Sequence, residues 1–182
     1  MEPRNTADQA FVRETNLSLV LRLIHNQAPV SRAQLAAITG LNKSTVSSLV
    51  DELLERNLVH ETGSNTGGAG RPPPLLEGNP RAGDIVGGEL GVGFFLVAVT
   101  DFLGNIVWRR REDADPSESQ ENMINQTLRI VKEAMSAGKR KGYHFLGLGL
   151  ATPGTVDLDK GVLIFAPNLH WRNVPFVQIF SE

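Results

Sequence analysis

The sequence contains no cysteine and no apolar run long enough to cross a bilayer. The absence of cysteine excludes disulfide bonds and thiolate-liganded metal sites within these 182 residues. The opening residues, MEPRNTADQAFVRE, also lack the basic and then apolar pattern of a secretory signal. We therefore expect a cytoplasmic protein that does not act at a membrane.

The sequence also has little excess of charge of either sign. The formal net charge is −2, and the first 82 residues contain eight Lys/Arg and eight Asp/Glu. A protein that binds DNA through a general basic field would carry an excess of cations. Any contact with DNA must therefore come from a few cations placed at particular positions.

Two segments with different apolar periodicity are present, and they meet near residues 79–83 (Asn-Pro-Arg-Ala-Gly). Before this junction the spacing is helical, and after it short apolar runs alternate with Gly and Asp. We predict an N-terminal arm over 1–15, a three-helix domain over 16–79 and an α/β domain over 80–182. The three helical apolar sets are Leu17, Val20, Leu21 and Ile24; Leu35, Ala36 and Ile38; and Val46, Leu49, Val50 and Leu53.

The middle of the first segment has the signals of two helices joined by a short turn. Ser31 with Gln34 forms a capping box, which predicts that a helix begins at the next residue. Gly40 ends that helix, because glycine adopts the left-handed conformation without a Cβ penalty. We expect the Asn42 side chain to cap a further helix that begins at Lys43.

A connection of about three residues forces these two helices to cross steeply, which requires a small residue and apolar anchors at the crossing. Ala36 lies four residues before Gly40, and Val46 and Leu49 lie six and nine residues after it. This combination is typical of a helix-turn-helix that reads double-stranded DNA. The alternative is a plain three-helix bundle with no role in DNA binding.

The outward face of the later helix favours DNA binding, because it shows short hydroxyl side chains and one lysine in its first turns. Its acidic residues, Asp51, Glu52 and Glu55, are confined to the later turns. Arg32, at the start of the preceding helix, is a candidate phosphate contact. The DNA-binding candidates on these two helices are Ser31, Arg32, Asn42, Lys43, Ser44, Thr45, Ser47 and Ser48.

Two short predicted strands, 58–61 and 74–77, flank a glycine-rich tip over 67–72 (Gly-Gly-Ala-Gly-Arg-Pro). The tip resembles the core of an AT-hook, in which extended backbone enters a minor groove. Gly70 and Arg71 are the candidates for that contact, with the arginine sensing groove width and potential. The alternative is a flexible linker.

The second segment predicts strands over 84–90, 94–101, 105–111, 145–151 and 162–166. A helix is predicted to begin at Asp115-Pro116, to run to Ala137 and to stop at Gly138. The buried stripe predicted for this helix is Met123, Thr127, Leu128, Val131 and Met135.

The run 147–157 (GLGLATPGTVD), then Gly161 and 166–171 (APNLHW), resembles the signature of the ROK family of repressors and sugar kinases. The order of segments, with GRPP and EGNP closing the first, resembles the family's xylose and N-acetylglucosamine repressors. The resemblance implies an α+β protein. A winged helix-turn-helix of three helices and a two-stranded wing precedes the first α/β lobe of an actin-like (ribonuclease H-like) ATPase-fold domain.

The resemblance also implies a sugar site lined by Gly154 and Asn168. A strand ending in Pro153-Gly154 presents backbone amides where a Cβ would obstruct a ligand, and an asparagine amide matches a sugar hydroxyl. The alternative for Asn168 is a turn-stabilising amide. We expect Trp171 to pack in the core of the lobe.

Two departures from the family pattern limit what the resemblance implies. The kinases carry an Asp-x-Gly-Gly-Thr phosphate loop, whereas residues 89–95 here read ELGVGFF. We therefore expect no ATP binding, no phosphoryl transfer and no catalytic residues. Family regulators also carry a further lobe with a general-base aspartate, more sugar ligands and a zinc site. None of these falls within 182 residues, so we expect no metal or other cofactor here and weak or undetectable sugar binding.

These observations predict a homodimeric DNA-binding repressor of carbohydrate-utilisation genes, whose effector in a full-length relative is a sugar. The chain is either a fragment or the product of a shortened gene. One alternative is a sugar kinase with an appended winged helix. Another is a winged-helix module that binds a protein partner instead of DNA.

Overall fold

The computed structural model describes residues 4–63, 73–115, 117–139 and 144–181. The chain divides into two compact units, Met1–Ala82 and Gly83–Glu182. The division falls where the apolar periodicity of the sequence changes. Among the described residues, no helix combines the length and the apolarity needed to span a membrane.

The first unit contains three helices and a small antiparallel sheet with strand order β1-β3-β2. The elements are α1 (Arg4–Gln27), β1 (Val30–Ser31), α2 (Arg32–Thr39), α3 (Lys43–Glu55), β2 (Val59–Thr62) and β3 (Leu75–Gly78). Beside the two strands predicted for the wing, Val30 and Ser31 form a third strand that pairs with Leu76 and Leu75. The same two residues lead into the capping box, so the extended backbone before a helix cap also serves as a strand.

The first helix begins earlier than expected. The segment predicted to be an N-terminal arm is helical from Arg4, well before Asn16. Arg13 lies on this added part, where its guanidinium contacts Glu52 at 2.7 Å and donates to the Ser48 hydroxyl at 3.3 Å. These contacts tie the start of α1 to α3.

The core of the first unit confirms most of the predicted apolar sets. The buried side chains on the helices are Leu17, Val20, Ile24, Leu35, Ala36, Val46, Leu49, Val50 and Leu53. Leu21 is partly buried, whereas the prediction for Ile38 was wrong because its side chain is 49% exposed. Helical spacing alone did not show that α2 is too short to bury a third apolar position.

The turn between α2 and α3 has the predicted backbone. Gly40 has φ +70, and its N–H donates to the Ala36 carbonyl at 3.0 Å. The prediction that the Asn42 side chain caps α3 was wrong, because it makes no cap hydrogen bond. Only its carbonyl takes part, accepting from the Val46 amide at 3.0 Å.

The second unit has two sheets. In the larger, β4 (Asp84–Leu90), β5 (Phe94–Thr100), β6 (Ile106–Asp113) and β7 (Phe145–Ala151) follow the order β6-β5-β4-β7. Only the β4–β7 pair is parallel, because α4 (Gln120–Lys139) provides the crossover to β7. The smaller, antiparallel sheet contains β8 (Thr155–Asp157), β9 (Val162–Ala166) and β10 (Trp171–Val174), followed by α5 (Phe176–Phe180).

The predicted start of α4 at Asp115-Pro116 was wrong. The Asp115 carboxylate instead accepts from the Ser117 amide at 2.8 Å in a turn, and the Ser119 hydroxyl accepts from the Asn122 amide at 3.2 Å. The helix also continues through Gly138 to Lys139. A Cβ at Gly138 would lie 2.5 Å from Oδ2 of Asp84, so a larger residue there would displace that carboxylate.

The buried stripe predicted for α4 is confirmed. Met123, Thr127 and Val131 are buried, while Leu128 and Met135 are partly buried against the same core. The core on this side of the helix also receives Val86, Leu90, Phe95, Val97 and Val99 from β4 and β5.

Replacing Gly40 with alanine should lower the free energy of unfolding by about 1–2 kcal/mol, because an L-residue is disfavoured at φ +70. No atom lies within 4 Å of the added Cβ, so the backbone alone accounts for the loss. Gly40→Asn is the matched control and should retain part of the stability, since asparagine tolerates this conformation. Denaturant titration measures both variants, and an alanine variant as stable as the parent would contradict the assignment.

Candidate nucleic-acid interface

The helix α3 has one apolar side and one polar side. Val46, Leu49, Val50 and Leu53 are buried, which fixes the rotation of the helix about its own axis. Ser44 and Ser48 are exposed on the opposite side, and Thr45 and Ser47 are half-buried at its edges. Lys43 follows the helical spacing of Val46 and Val50, but it is exposed because it is the first residue of the helix. The structure therefore places all five of these predicted residues in the first half of one rigid helix, each with its side chain exposed or half-buried.

The first turn of α3 is open to a ligand. Asn42 and Lys43 are exposed, and the Asn42 side chain is not used as a cap. Helix amides without a side-chain cap, together with the helix dipole, favour an anion at this end. Within the described part of the chain, Lys43 has no ion-pair partner, so its ammonium group is available there as well.

Arg32 is placed differently from what the sequence suggested. Its guanidinium contacts Asp51 at 2.7 Å and Glu61 at 3.2 Å, and it donates to the Ser47 carbonyl at 3.3 Å. Partial burial lowers the pKa of Arg32, but the hydrogen bonds to Asp51 and Glu61 outweigh that effect and raise it overall. The side chain stays charged and links α2 to α3 and β2.

Ser31 is buried, and the capping box uses its hydroxyl. The Ser31 Oγ accepts from the Gln34 amide at 3.3 Å, and the Gln34 Oε1 accepts from the Ser31 amide at 2.8 Å. Its hydroxyl is therefore engaged within the capping box. Ser31 acts by fixing the start of α2, from which Arg32 extends.

Sequence reasoning missed Arg13. The residue lies four positions before Leu17, on the side of α1 that faces α3, and it reaches Ser48 and Glu52. Arg56 contacts Glu52 as well. The signal was present, since the inward face of α1 continues from Leu17 back to Arg13 at helical spacing.

The predicted wing is described only at its base. The strands β2 and β3 pair antiparallel from Val59 opposite Gly78 to Thr62 opposite Leu75. Gly70 and Arg71 lie outside the described residues.

The two predicted sugar-site residues lie close to the same strand end in the second unit. Gly154 has φ +141, and a Cβ there would collide with the Phe165 carbonyl, so only glycine allows this approach to β9. Asn168 is exposed in a 3-10 turn, Pro167–Leu169, that begins directly after β9. Among the described residues its side chain has no hydrogen bond, which does not support the alternative of a turn-stabilising amide.

The segment 89–95 forms a tight hairpin between β4 and β5. The Gly91 amide donates to the Phe94 carbonyl at 2.9 Å, and a Cβ at Gly91 would lie 2.8 Å from the Phe94 ring. The Arg111 guanidinium lies 4.6 Å from the centre of the same ring. An aromatic side chain thus occupies the turn. Trp171 is buried in the core, as expected.

Residues 18–69 match the model of the MarR family, and residues 85–182 match that of the ROK family. The chain belongs to the ROK family. This finding confirms the resemblance inferred from the motifs at 147–157 and 166–171.

The similar proteins include a repressor and a DNA-binding transcriptional regulator by name. The chain is 36% identical over 179 residues to the xylose repressor of Bacillus subtilis strain 168, covering 97% of this chain and 45% of that protein. It is 23% identical over 172 residues to the DNA-binding transcriptional dual regulator NagC of Escherichia coli strain K12, covering 94% and 42%. The chain therefore spans less than half the length of these curated relatives.

A solved structure has the same fold. A ROK family transcriptional regulator, a homologue of the E. coli MLC protein, superimposes with a TM-score of 0.74 at 21% identity. The match covers 93% of this chain and 43% of that one. It confirms the predicted α+β class, a winged helix-turn-helix followed by part of an actin-like domain.

Proposed function

We propose that this chain binds double-stranded DNA through α3 and is the DNA-binding part of a repressor of carbohydrate-utilisation genes. The observation that carries the proposal is the polar face of α3, which an apolar side buried in the core holds in a fixed orientation. The named functions of the relatives support the same conclusion. The first turn of α3 enters the major groove, with Asn42 and Lys43 at base edges and phosphates and the hydroxyls of Ser44 and Ser48 at the backbone.

The near-neutral charge of this region is compatible with DNA binding because the acidic residues of α3 are largely paired. Asp51 contacts Arg32, and Glu52 contacts Arg13 and Arg56. Exposed ion pairs contribute little stability, but they cancel charge that would repel phosphate. The unpaired Lys43 is then the dominant charge at the end of the helix that approaches DNA.

The wing adds a second contact in this proposal. The tip between β2 and β3 reaches the adjacent minor groove, with Gly70 and Arg71 as the contacting residues. The support for this part is the sequence of the tip, since a narrow minor groove attracts arginine through its negative potential.

The second unit is the sensing half in the proposed function. Gly154 and Asn168 face a sugar in a full-length relative, and closure of the site around the sugar changes the affinity of the repressor for DNA. The alternative of a sugar kinase is disfavoured by the hairpin at 89–95, where Phe94 occupies the turn. We propose that the chain is not an enzyme.

Lys43→Ala should weaken DNA binding by roughly 1–3 kcal/mol if the lysine contacts a base, and should reduce the salt slope by about 1 if it contacts a phosphate. The measurement is fluorescence anisotropy at several salt concentrations, on a duplex that the unaltered chain selects from a random-sequence library. Lys160→Ala is the matched control, because Lys160 is an exposed lysine in the second unit that pairs with Asp157. No selected duplex, or binding that is insensitive to salt, would favour a protein-interaction module instead.

Asp51→Asn should raise DNA affinity at low salt, because it removes a negative charge and one of the two carboxylates that Arg32 contacts, which leaves Arg32 better able to reach a phosphate. Glu55→Gln is the matched control, since it removes one carboxylate from α3 without touching Arg32. We expect Asp51→Asn to raise affinity more than the control, and Arg32→Ala to lower it. Equal effects of the two neutralising variants would show that Arg32 only links the helices and does not contact DNA.

The chain should neither bind ATP nor turn it over in the presence of sugars, because residues 89–95 lack the glycine-threonine pair of a phosphate loop. Equilibrium dialysis with labelled ATP measures binding by the chain. A coupled assay with xylose, N-acetylglucosamine and glucose measures turnover by the chain and by a full-length relative. Sugar-dependent release of ADP above the protein-free background would establish a kinase and refute this part of the proposal.

A further inference from the structure

The helix α1 has an outward face that nothing in the described part of the chain covers. Its inward side carries Leu17, Val20 and Ile24, which are buried in the core. The opposite side carries five exposed residues at spacings of three and four: Asp8, Phe11, Thr15, Leu19 and Arg22. At 3.6 residues per turn these five side chains form one strip about 80° wide. We call it the outer strip.

The centre of the outer strip is apolar. Phe11 is 72% exposed and Leu19 is 36% exposed, one turn to either side of Thr15. The Thr15 hydroxyl donates to the Phe11 carbonyl at 2.9 Å, so it is satisfied within the helix and does not require water. Val12, 55% exposed, widens the apolar area along one side.

The ends of the outer strip carry opposite charges. Asp8 and Arg22 each lie seven residues from Thr15, on either side of it. Neither has an ion-pair partner among the described residues. Scattered exposed apolar side chains are common on protein surfaces. A strip that is apolar at its centre and oppositely charged at equal distances from it is a more specific arrangement.

We propose that the outer strip binds the same strip of a second copy of this chain, with the two α1 helices antiparallel and the two-fold axis at Thr15. In this arrangement Phe11 packs on the partner's Leu19, and Asp8 pairs with the partner's Arg22. The two-fold axis repeats both contacts, as an isologous interface requires. A parallel arrangement would instead place Asp8 against the partner's Asp8 and Arg22 against the partner's Arg22. Charge complementarity therefore selects the antiparallel pair.

The proposed role of this interface in DNA recognition rests on the proposed function, because it assumes that α3 binds DNA. Two copies joined through α1 present two α3 helices to a symmetric operator. A single helix pair buries less surface than a typical stable dimer, so the free protein forms a weak dimer that depends on concentration. Binding to two half-sites at once strengthens the assembly on DNA.

Cross-linking tests the position of the two-fold axis. The chain has no cysteine, so Thr15→Cys introduces a single thiol next to the same thiol of the partner. We expect Thr15→Cys to form a disulfide-linked dimer under mild oxidation. Ser18→Cys is the control, because antiparallel helices place its two thiols about 9 Å apart along the axis, beyond disulfide reach. Linkage at Ser18 as readily as at Thr15, or at neither position, would overturn the arrangement.

Charge reversal tests the pairing. Asp8→Arg and Arg22→Asp should each weaken the dimer at least tenfold, and the double variant Asp8→Arg/Arg22→Asp should restore it. Glu14→Arg, an equal reversal outside the outer strip, should leave the dimer unchanged. Sedimentation equilibrium without DNA measures association, and circular dichroism confirms that each variant is folded. A parent chain that stays monomeric, single reversals without effect, or a double variant that is not restored would each refute the proposal.

The outcome is separable from that of the proposed function. Sedimentation without DNA reports only the interface, while anisotropy on a duplex with a single half-site reports only the contact of α3. A charge-reversal variant that is monomeric yet binds a half-site with unchanged affinity supports both proposals. Half-site binding by a parent chain that does not dimerise would refute the interface and leave the DNA-binding proposal intact.

Discussion

The steep turn between α2 and α3 determines where the candidate DNA contacts on α3 lie. Gly40 closes α2 through its amide to the Ala36 carbonyl, and two residues later the Asn42 carbonyl accepts the first hydrogen bond of α3 from Val46. The burial of Val46 and Leu49 then fixes the rotation of α3. The left-handed conformation of Gly40 therefore affects more than local stability, because it sets the direction of α3 and of its polar side chains.

The electrostatic character of the α3 surface in the first unit depends on which charged side chains form ion pairs, more than on the net charge. Arg13 and Arg32 approach α3 from different elements and contact the carboxylates of Glu52 and Asp51. Both arginines hold α3 against its neighbours while cancelling charge along its later turns. Without these ion pairs, the carboxylates of α3 would repel the DNA phosphates although the composition would be the same. A charge count alone could therefore neither support nor exclude DNA binding.

The sequence predicted the features that depend on neighbouring residues. The capping box of Ser31 and Gln34, the left-handed Gly40 and the buried stripe of α4 follow from local chemistry and periodicity, and the structure confirms them. The features that the sequence could not predict depend on residues that are far apart in the chain. The partners of Arg32 lie 19 and 29 residues away. The pairing of β1 depends on β3, and β8 and β10 are too short to show a period. The length of α1 was hidden because residues 8–15 are all exposed and so show no apolar stripe at helical spacing.

The long first helix connects the two levels of the proposed recognition. Arg13 lies on the inward side of α1 and reaches Ser48 on the polar face of α3, whereas the outer strip begins on the opposite side of the same turns. Backbone hydrogen bonds close each turn of a helix, so one side of the helix cannot rotate about the helix axis relative to the other side. An antiparallel α1 pair therefore fixes the orientation of each α3 relative to the two-fold axis through the body of the helix. Because of this rigidity, the dimer would recognise only operators with one defined half-site spacing. A flexible arm over residues 1–15 could not impose such a spacing.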